Sequence, residues 1–348
     1  MTNIIEELNE QKRKVDFNSY TMSVKELLSM IQENLINIAP IYQRQFRWDE
    51  IRQSLLIESL FLGIPVPSLF MATNEDGTWE VIDGVQRLST IANFVLNADD
   101  TSRNKIGSNN PLKIQNLEKL SSFNNKRYSD LPRSLQIDFL LRPINITTLS
   151  DKSDKSVRFD LFERLNTGGI KLSEQEIRSC IYRGEFNDFI KDLSTYDNFL
   201  KCIKLPKASD CDGTKEELVL RFFAYLNSRQ DFVHNVKSFL NDYMEKSSKS
   251  FNYKENRKLF HRTFDVLSQL DRGIVKSKSR SVTSIILFEA ISVGAAEALK
   301  ESTNINITDF YDWVPNSDFN KLITGATNTK SRVLERIEYC KQKFLRNV

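Results

Sequence analysis

Histidine is almost missing from this sequence. His234 and His261 are the only two in 348 residues, and neither has an acidic or cysteine partner at metal-ligand spacing. The four cysteines, Cys180, Cys202, Cys211 and Cys340, are scattered without a C-x-x-C pair. Together these residues make a poor zinc set, and isolated cysteines in so long a chain suit a reducing compartment. No apolar run approaches the roughly 20 residues needed to span a bilayer. The first fifteen residues are polar and charged, without the apolar stretch of a secretory leader. The chain therefore reads as cytoplasmic, with no membrane partner. Also absent are G-x-x-x-x-G-K-[ST], G-x-S-x-G and H-E-x-x-H, so P-loop, nucleophile-elbow and zincin chemistries have no support. A strong charge of either sign is missing too. The 49 Lys and Arg against 46 Asp and Glu leave +3, which neither demands nor excludes nucleic acid.

A hydrophobic content of 40% with 27% charged residues suits a folded chain long enough to bury a core. The first half mixes strand and helix signals. Phe17 to Thr21 reads as a strand, and Ser23 with Glu26 forms a capping-box pattern opening a helix with Val24, Leu27, Leu28 and Ile31 on one face. Leu35 to Ile38 reads as a short strand ending at Pro40. Asp49 caps a helix carrying Ile51, Leu55, Leu56 and Leu60 that stops at Gly63. Ser68 to Thr73 and Thr78 to Ile82 form a hairpin about Asn74–Gly77. The polar stretch 97–111 reads as a loop, Ser129–Pro132 as a helix start, and Pro143 to Leu149 as another strand. Asp154 opens a helix to Leu165, and Ser173 with Glu176 repeats the capping box. Beyond about residue 185 strand signals nearly vanish, and Leu218–Leu226, Lys258–Leu270, Val282–Leu299 and Ser331–Phe344 have helical apolar spacing. The expected organisation is α+β: a small mixed sheet with helices over 15–185, then a helical domain over 186–348, with Leu205–Thr214 a plausible connector.

Three blocks stand out chemically. In Asp83-Gly84-Val85-Gln86-Arg87 a strand ending in Asp-Gly turns directly into a helix. Such a turn leaves backbone N–H groups for an anion, and Gln86 and Arg87 add donors. Asp-Gly alone is a common turn. Ile41-Tyr42-Gln43-Arg44-Gln45-Phe46-Arg47-Trp48 combines arginines that can grip phosphate with aromatics that can stack. The same residues also fit an aromatic corner with surface arginines. Phe162 to Gly169 ends in Asn166-Thr167-Gly168-Gly169, which suits either close backbone approach to a ligand or a helix stop. Lys276-Ser277-Lys278-Ser279-Arg280 reads as a solvated basic loop, and both histidines as structural.

In this order the blocks resemble the N-terminal domain family of GmrSD-type modification-dependent restriction endonucleases, within the ParB and sulfiredoxin-like superfamily. The matching elements are Tyr42-Gln43-Arg44 with Trp48, the Asp83–Arg87 signature, and Phe162–Gly169 followed by Leu172-Ser173 and Glu176-Ile177-Arg178. Tyr128–Pro132 matches as well, and the resemblance covers about residues 15–185. It implies a domain that binds a nucleoside triphosphate, with or without hydrolysing it, in defence against foreign DNA. By that resemblance Asp83, Gln86 and Arg87 are catalytic; Gln43, Arg44, Arg47, Gly84, Asn166 and Gly168 bind nucleotide or phosphate; and Asp83 holds Mg²⁺ or positions water. DNA and a separate nuclease or effector subunit are the implied partners. One departure matters: Val85 stands where the family carries a glutamine, and Val cannot hydrogen-bond through its side chain. With so little histidine, a His-metal nuclease is not expected in the C-terminal half. Two alternatives stay open, a DNA nickase or nuclease using the same Asp83 and Arg87, and a DNA- or protein-binding module that has lost catalysis.

Overall fold

The computed structural model describes residues 4–13, 16–38, 48–74, 76–106, 108–150, 157, 159, 161, 164, 173–206, 212–276, 282–325 and 327–346. The chain divides into two compact units, Met1–Leu172 and Ser173–Val348. The architecture is α+β, with a mixed sheet in the first unit and helices in the second.

The first unit opens with α1 (Ile4–Arg13), β1 (Phe17–Ser23), α2 (Val24–Gln32) and β2 (Ile36–Asn37). Ser23 and Glu26 form the full reciprocal capping box, which satisfies two orphan N–H groups and sets where α2 begins. The four apolar residues at helical spacing, Val24, Leu27, Leu28 and Ile31, are all buried. Each contributes about 1.5–3 kcal/mol of transfer free energy. Next come α3 (Glu50–Phe61), β3 (Leu69–Thr73), β4 (Trp79–Asp83), α4 (Val85–Val95), α5 (Arg103–Ile106), α6 (Arg133–Leu140) and β5 (Pro143–Leu149). The single turn α5 interrupts the stretch expected to be loop.

The sheet order is β1-β5-β3-β4-β2. The β1–β5 and β3–β4 pairs are antiparallel, whereas β3–β5 and β2–β4 are parallel. Tyr20 on the first strand of that order has its ring 5.3 Å from Trp79 on the fourth, so the sheet curls strongly. One core, including Leu69, Met71, Val81, Leu88, Ile91, Phe94 and Phe139, fills the space between sheet and helices.

Helix α3 departs from its expected packing. Leu56, Ile57 and Leu60 turn inward, but Ile51 and Leu55 are exposed. Another side of the helix carries a polar stripe at i, i+4, i+8, buried at Ser54 and Glu58 and exposed at Glu50. Glu50 accepts from Gln115 Nε2 at 2.6 Å, Ser54 Oγ from the Gln115 N–H at 3.1 Å, and Glu58 from the Leu120 N–H at 2.9 Å. The irregular 115–120 chain thus finds backbone partners on a helix instead of in a sheet.

The second unit holds α7 (Glu174–Ile181), α8 (Glu185–Ser194), α9 (Asp197–Cys202), α10 (Thr214–Ser228), α11 (Val236–Lys249), α12 (Tyr253–Leu267), α13 (Ile285–Glu301), α14 (Phe310–Trp313), α15 (Ser317–Ile323) and α16 (Lys330–Leu345). Helix α13 is buried along nearly its whole length, as a helix apolar on all sides must be. Gly294 lets α16 approach it closely, since a Cβ there would sit 2.5 Å from that of Cys340. No helix among the described residues is long and apolar enough to cross a membrane.

Candidate functional site

The Asp83–Arg87 turn owes its geometry to an irregularity in β4. Phe70 pairs with Asp83 but Met71 pairs with Val81, so Ile82 is an extra residue on its strand. Val81 and Ile82 are buried in succession, at 7% and 3% exposure, which breaks the alternation a regular strand would keep. A bulge re-aims the residue after it, and that residue is Asp83, half-buried at the strand's end. Gly84 then reverses the chain with φ +96°, in the region that favours glycine. A Cβ at Gly84 would also lie 2.3 Å from Leu69 Cδ2 and 3.0 Å from Arg87 Nη2. Helix α4 starts immediately after, and Gly84 offers no side chain to cap the N–H groups of its first turn.

Arg87 faces back across this turn. Its Nη2 meets Asp83 Oδ2 at 2.7 Å, and its Nη1 donates to the carbonyl oxygens of Pro67 and Ser68. The Arg87 side chain is 13% exposed and the Asp83 side chain 35%. Burial pulls the Arg87 pKa down, and the adjacent Asp83 carboxylate pushes it back up. An arginine stays cationic through such a shift. Arg87 therefore clamps the lead-in to β3 and the end of β4 onto the first turn of α4, and it presents Asp83 as one half of a neutralised pair.

The two glutamine positions of the signature part company. Val85 is 6% exposed and packs in the core of the first unit. Position 85 points inward in this chain, so the valine removes no donor from the surface of the turn. Gln86 points the other way, and its Oε1 accepts from the backbone N–H of Trp48 at 3.3 Å. Trp48 is the first described residue after the block that holds Gln43, Arg44 and Arg47. Its carbonyl accepts from Gln53 Nε2 at 2.7 Å, and Arg52 stacks over its ring at 4.6 Å. Gln53 Oε1 takes a hydrogen bond from Asn93 Nδ2 at 3.0 Å, and Asn93 Oδ1 one from Arg103 Nη2 at 2.5 Å. A buried polar chain thus fixes the Trp48 backbone from beneath. Sequence reasoning passes over Gln53, Asn93 and Arg103, although a polar residue among the apolar positions of α3 is a readable signal for Gln53.

Asp83, Gly84, Gln86 and Arg87 are brought together, with Trp48 against them. Gln43, Arg44, Arg47, Asn166 and Gly168 lie outside the described residues. The continuation of the third block is described, and it belongs to the helical unit. Ser173 and Glu176 form a reciprocal capping box, with Ser173 Oγ also donating to the Asp212 carbonyl at 2.6 Å. Arg178 is fully buried and meets Glu217 at 2.6 Å. Glu217 meets Arg221 at 2.7 Å, Arg221 meets Glu289 at 2.6 Å, and Glu289 meets Arg336 at 2.5 Å. This alternating relay crosses the helical core from α7 to α16, and it gives Arg178 a structural duty.

A Mg²⁺ at this turn would have Asp83 as its protein carboxylate, with the remaining ligands from phosphate and water. Among the described residues no three His, Cys, Asp or Glu side chains converge, and the Asp83 carboxylate is already paired with a guanidinium. What the turn can do is receive an anion at the start of α4 beside a clamped Asp–Arg pair.

Comparison with known proteins adds one match. Residues 24–183 fit the family model of the GmrSD restriction endonuclease N-terminal domain. No curated protein and no solved structure matches the chain.

Proposed function

We propose, from the match of residues 24–183 to the family model of the GmrSD restriction endonuclease N-terminal domain, that this chain is a restriction-system component that binds a nucleoside triphosphate at the Asp83–Arg87 turn. The observation that carries the reading is the hydrogen bond from the Trp48 N–H to Gln86 Oε1. It joins the Tyr42–Trp48 block to the Asp83–Arg87 block, far apart in sequence, at the uncapped start of α4. Phosphate oxygens would accept from the first N–H groups of α4. Gln43, Arg44 and Arg47 would supply donors from the preceding block. Gly84 would keep the turn open to close approach, and Asn166 and Gly168 would close the far side. Arg87 positions Asp83, and Asp83 would orient and deprotonate an attacking water if the bound nucleotide is hydrolysed. Mg²⁺ would arrive with the phosphates. In a restriction system the chain would act on DNA together with a nuclease or effector subunit.

Thermal shift with each of the four ribonucleoside triphosphates, phosphate release with and without DNA, and plasmid nicking test the proposal together. At least one nucleotide is expected to raise Tm in the native chain, and the shift should shrink in Gln86→Ala. Phosphate release, if present, should vanish in Asp83→Asn with binding retained. No stabilisation by any nucleotide overturns the reading, and nicking that needs no nucleotide would put a nuclease in its place.

A further inference from the structure

The last helix carries a charge pattern that is self-complementary when reversed. Val333, Arg336, Ile337, Cys340 and Phe344 bury one face of α16, and Gly294 of α13 sits directly against Cys340. The outward face is therefore held in a fixed orientation. There Leu334 and Tyr339, with Leu322 of α15, contribute to an open groove of ≈ 610 Å³. Along its rim run Glu335, Tyr339, Gln342 and Arg346 at spacings of four, three and four, the same read from either end. Glu335 and Glu338 occupy the end nearer the middle of the helix, and Lys343 and Arg346 the final turn.

We propose that this face is an isologous interface, in which α16 of a second copy of the chain lies antiparallel across the groove. Charge complementarity selects that occupant. Reversed about a twofold axis, Glu335 falls opposite Arg346 of the second copy and Tyr339 opposite Gln342. The acidic end of each helix then meets the basic end of the other. A parallel pairing would set like charges together, and the helix dipoles would oppose it as well. Both carboxylates reach solvent: Glu335 and Glu338 are 55% and 58% exposed, the Glu335 contact to Arg332 is long at 3.8 Å, and Glu338 accepts from Gln342 Nε2 of its own helix at 2.7 Å with Lys341 at 4.0 Å. Lys343 Nζ lies 5.4 Å over the Tyr339 ring, keeping one cation at the centre of the seam. One helix pair is a small interface, so the association is weak, with a dissociation constant roughly in the micromolar range.

Sedimentation velocity on the full chain, from about 1 to about 100 µM, tests this. The native chain is expected to shift from monomer to dimer, less so at high salt. Two charge-reversed chains follow, Glu335→Lys with Glu338→Lys, and Lys343→Glu with Arg346→Glu. Each alone should lose at least tenfold in self-affinity, and an equimolar mixture should dimerise again. A misfolded variant cannot show that rescue. A native chain that stays monomeric throughout overturns the proposal, and so does a dimer that neither reversal weakens.

Discussion

The backbone N–H of Trp48 is bonded to Gln86 Oε1 at 3.3 Å, 38 residues away in sequence. The same tryptophan offers its carbonyl to Gln53, so both polar groups of one peptide-chain position are held by glutamine side chains. This double grip ties Trp48 to the start of α4 on one side and to α3 on the other. Beneath it runs a buried polar chain from Gln53 through Asn93 to Arg103.

Gln53→Leu should therefore act on stability and on the site together. Gln53 is 4% exposed and joins the Trp48 carbonyl to Asn93. Leucine conserves much of the volume but leaves an acceptor and a donor without partners, at about 1–3 kcal/mol each when buried. The urea midpoint should fall, and nucleotide-dependent stabilisation should fall further than in an equally destabilised core variant such as Ile91→Val. Equal losses in the two would separate Gln53 from the site.

At Gly84 and Val85 the constraint is steric. Gly84→Ala places a Cβ against Leu69 and Arg87 in a left-handed conformation, with an expected cost of about 1–3 kcal/mol or more. Val85→Gln restores the family signature, yet it buries an amide at a core position. It should destabilise by about 1–3 kcal/mol and leave nucleotide affinity and turnover unchanged in the folded fraction. A gain in turnover would show that position 85 reaches the substrate.

These two neighbours also mark how far the sequence can be read. Local signals are legible: the capping boxes at Ser23 and Ser173, the Asp49 cap, the hairpin into Asp83 and the helical periodicities of the second unit. Each depends on residues within a few positions of one another. The direction in which Val85 points depends on the bulge at Ile82, which is a property of two paired strands. The acceptors of Arg87 at Pro67 and Ser68 lie 20 and 19 residues back. Glu58 and Ser54 look like surface positions until the 115–120 chain is laid on them. Arg178 belongs to a family motif, but its partner Glu217 comes from another helix.

The buried relay makes a sharper prediction. Glu289 is 2% exposed and sits between Arg221 at 2.6 Å and Arg336 at 2.5 Å. Burial alone would lower the Arg221 pKa, but Glu289 and Glu217 outweigh it and hold the group above its ordinary value. Removing this carboxylate takes the ion-pair partner from the fully buried Arg336 and leaves Arg221 with Glu217 alone, so Glu289→Ala should cost about 3–5 kcal/mol. Glu335→Ala, on the exposed face of α16, should stay within about 0.5 kcal/mol. Urea unfolding of both variants checks the contrast, and a mild Glu289→Ala would mean that water reaches the relay.

The helical unit should also lose stability in alkali. Burial lifts the Cys202 thiol to about 12 and the Tyr243 phenol to about 12, the latter despite hydrogen bonds from Asn227 and Ser247. In the unfolded chain these groups titrate near their ordinary values, about 8.5 and about 10. Their folded pKa values are raised, so the stability they contribute is complete below about pH 8.5 and declines as pH rises toward 12. Urea midpoints taken at steps from about pH 7 to about pH 10.5 should fall in two stages, first at the thiol and then at the phenol. Cys202→Ala lowers the whole curve by its packing loss and should make the first stage shallower, the remainder belonging to the Cys340 thiol, which burial also raises. In the native state Cys202 should resist thiol reagents at about pH 8, because a buried thiol supplies little thiolate. Rapid labelling there, or an unaltered first stage in Cys202→Ala, would place the titrating group elsewhere.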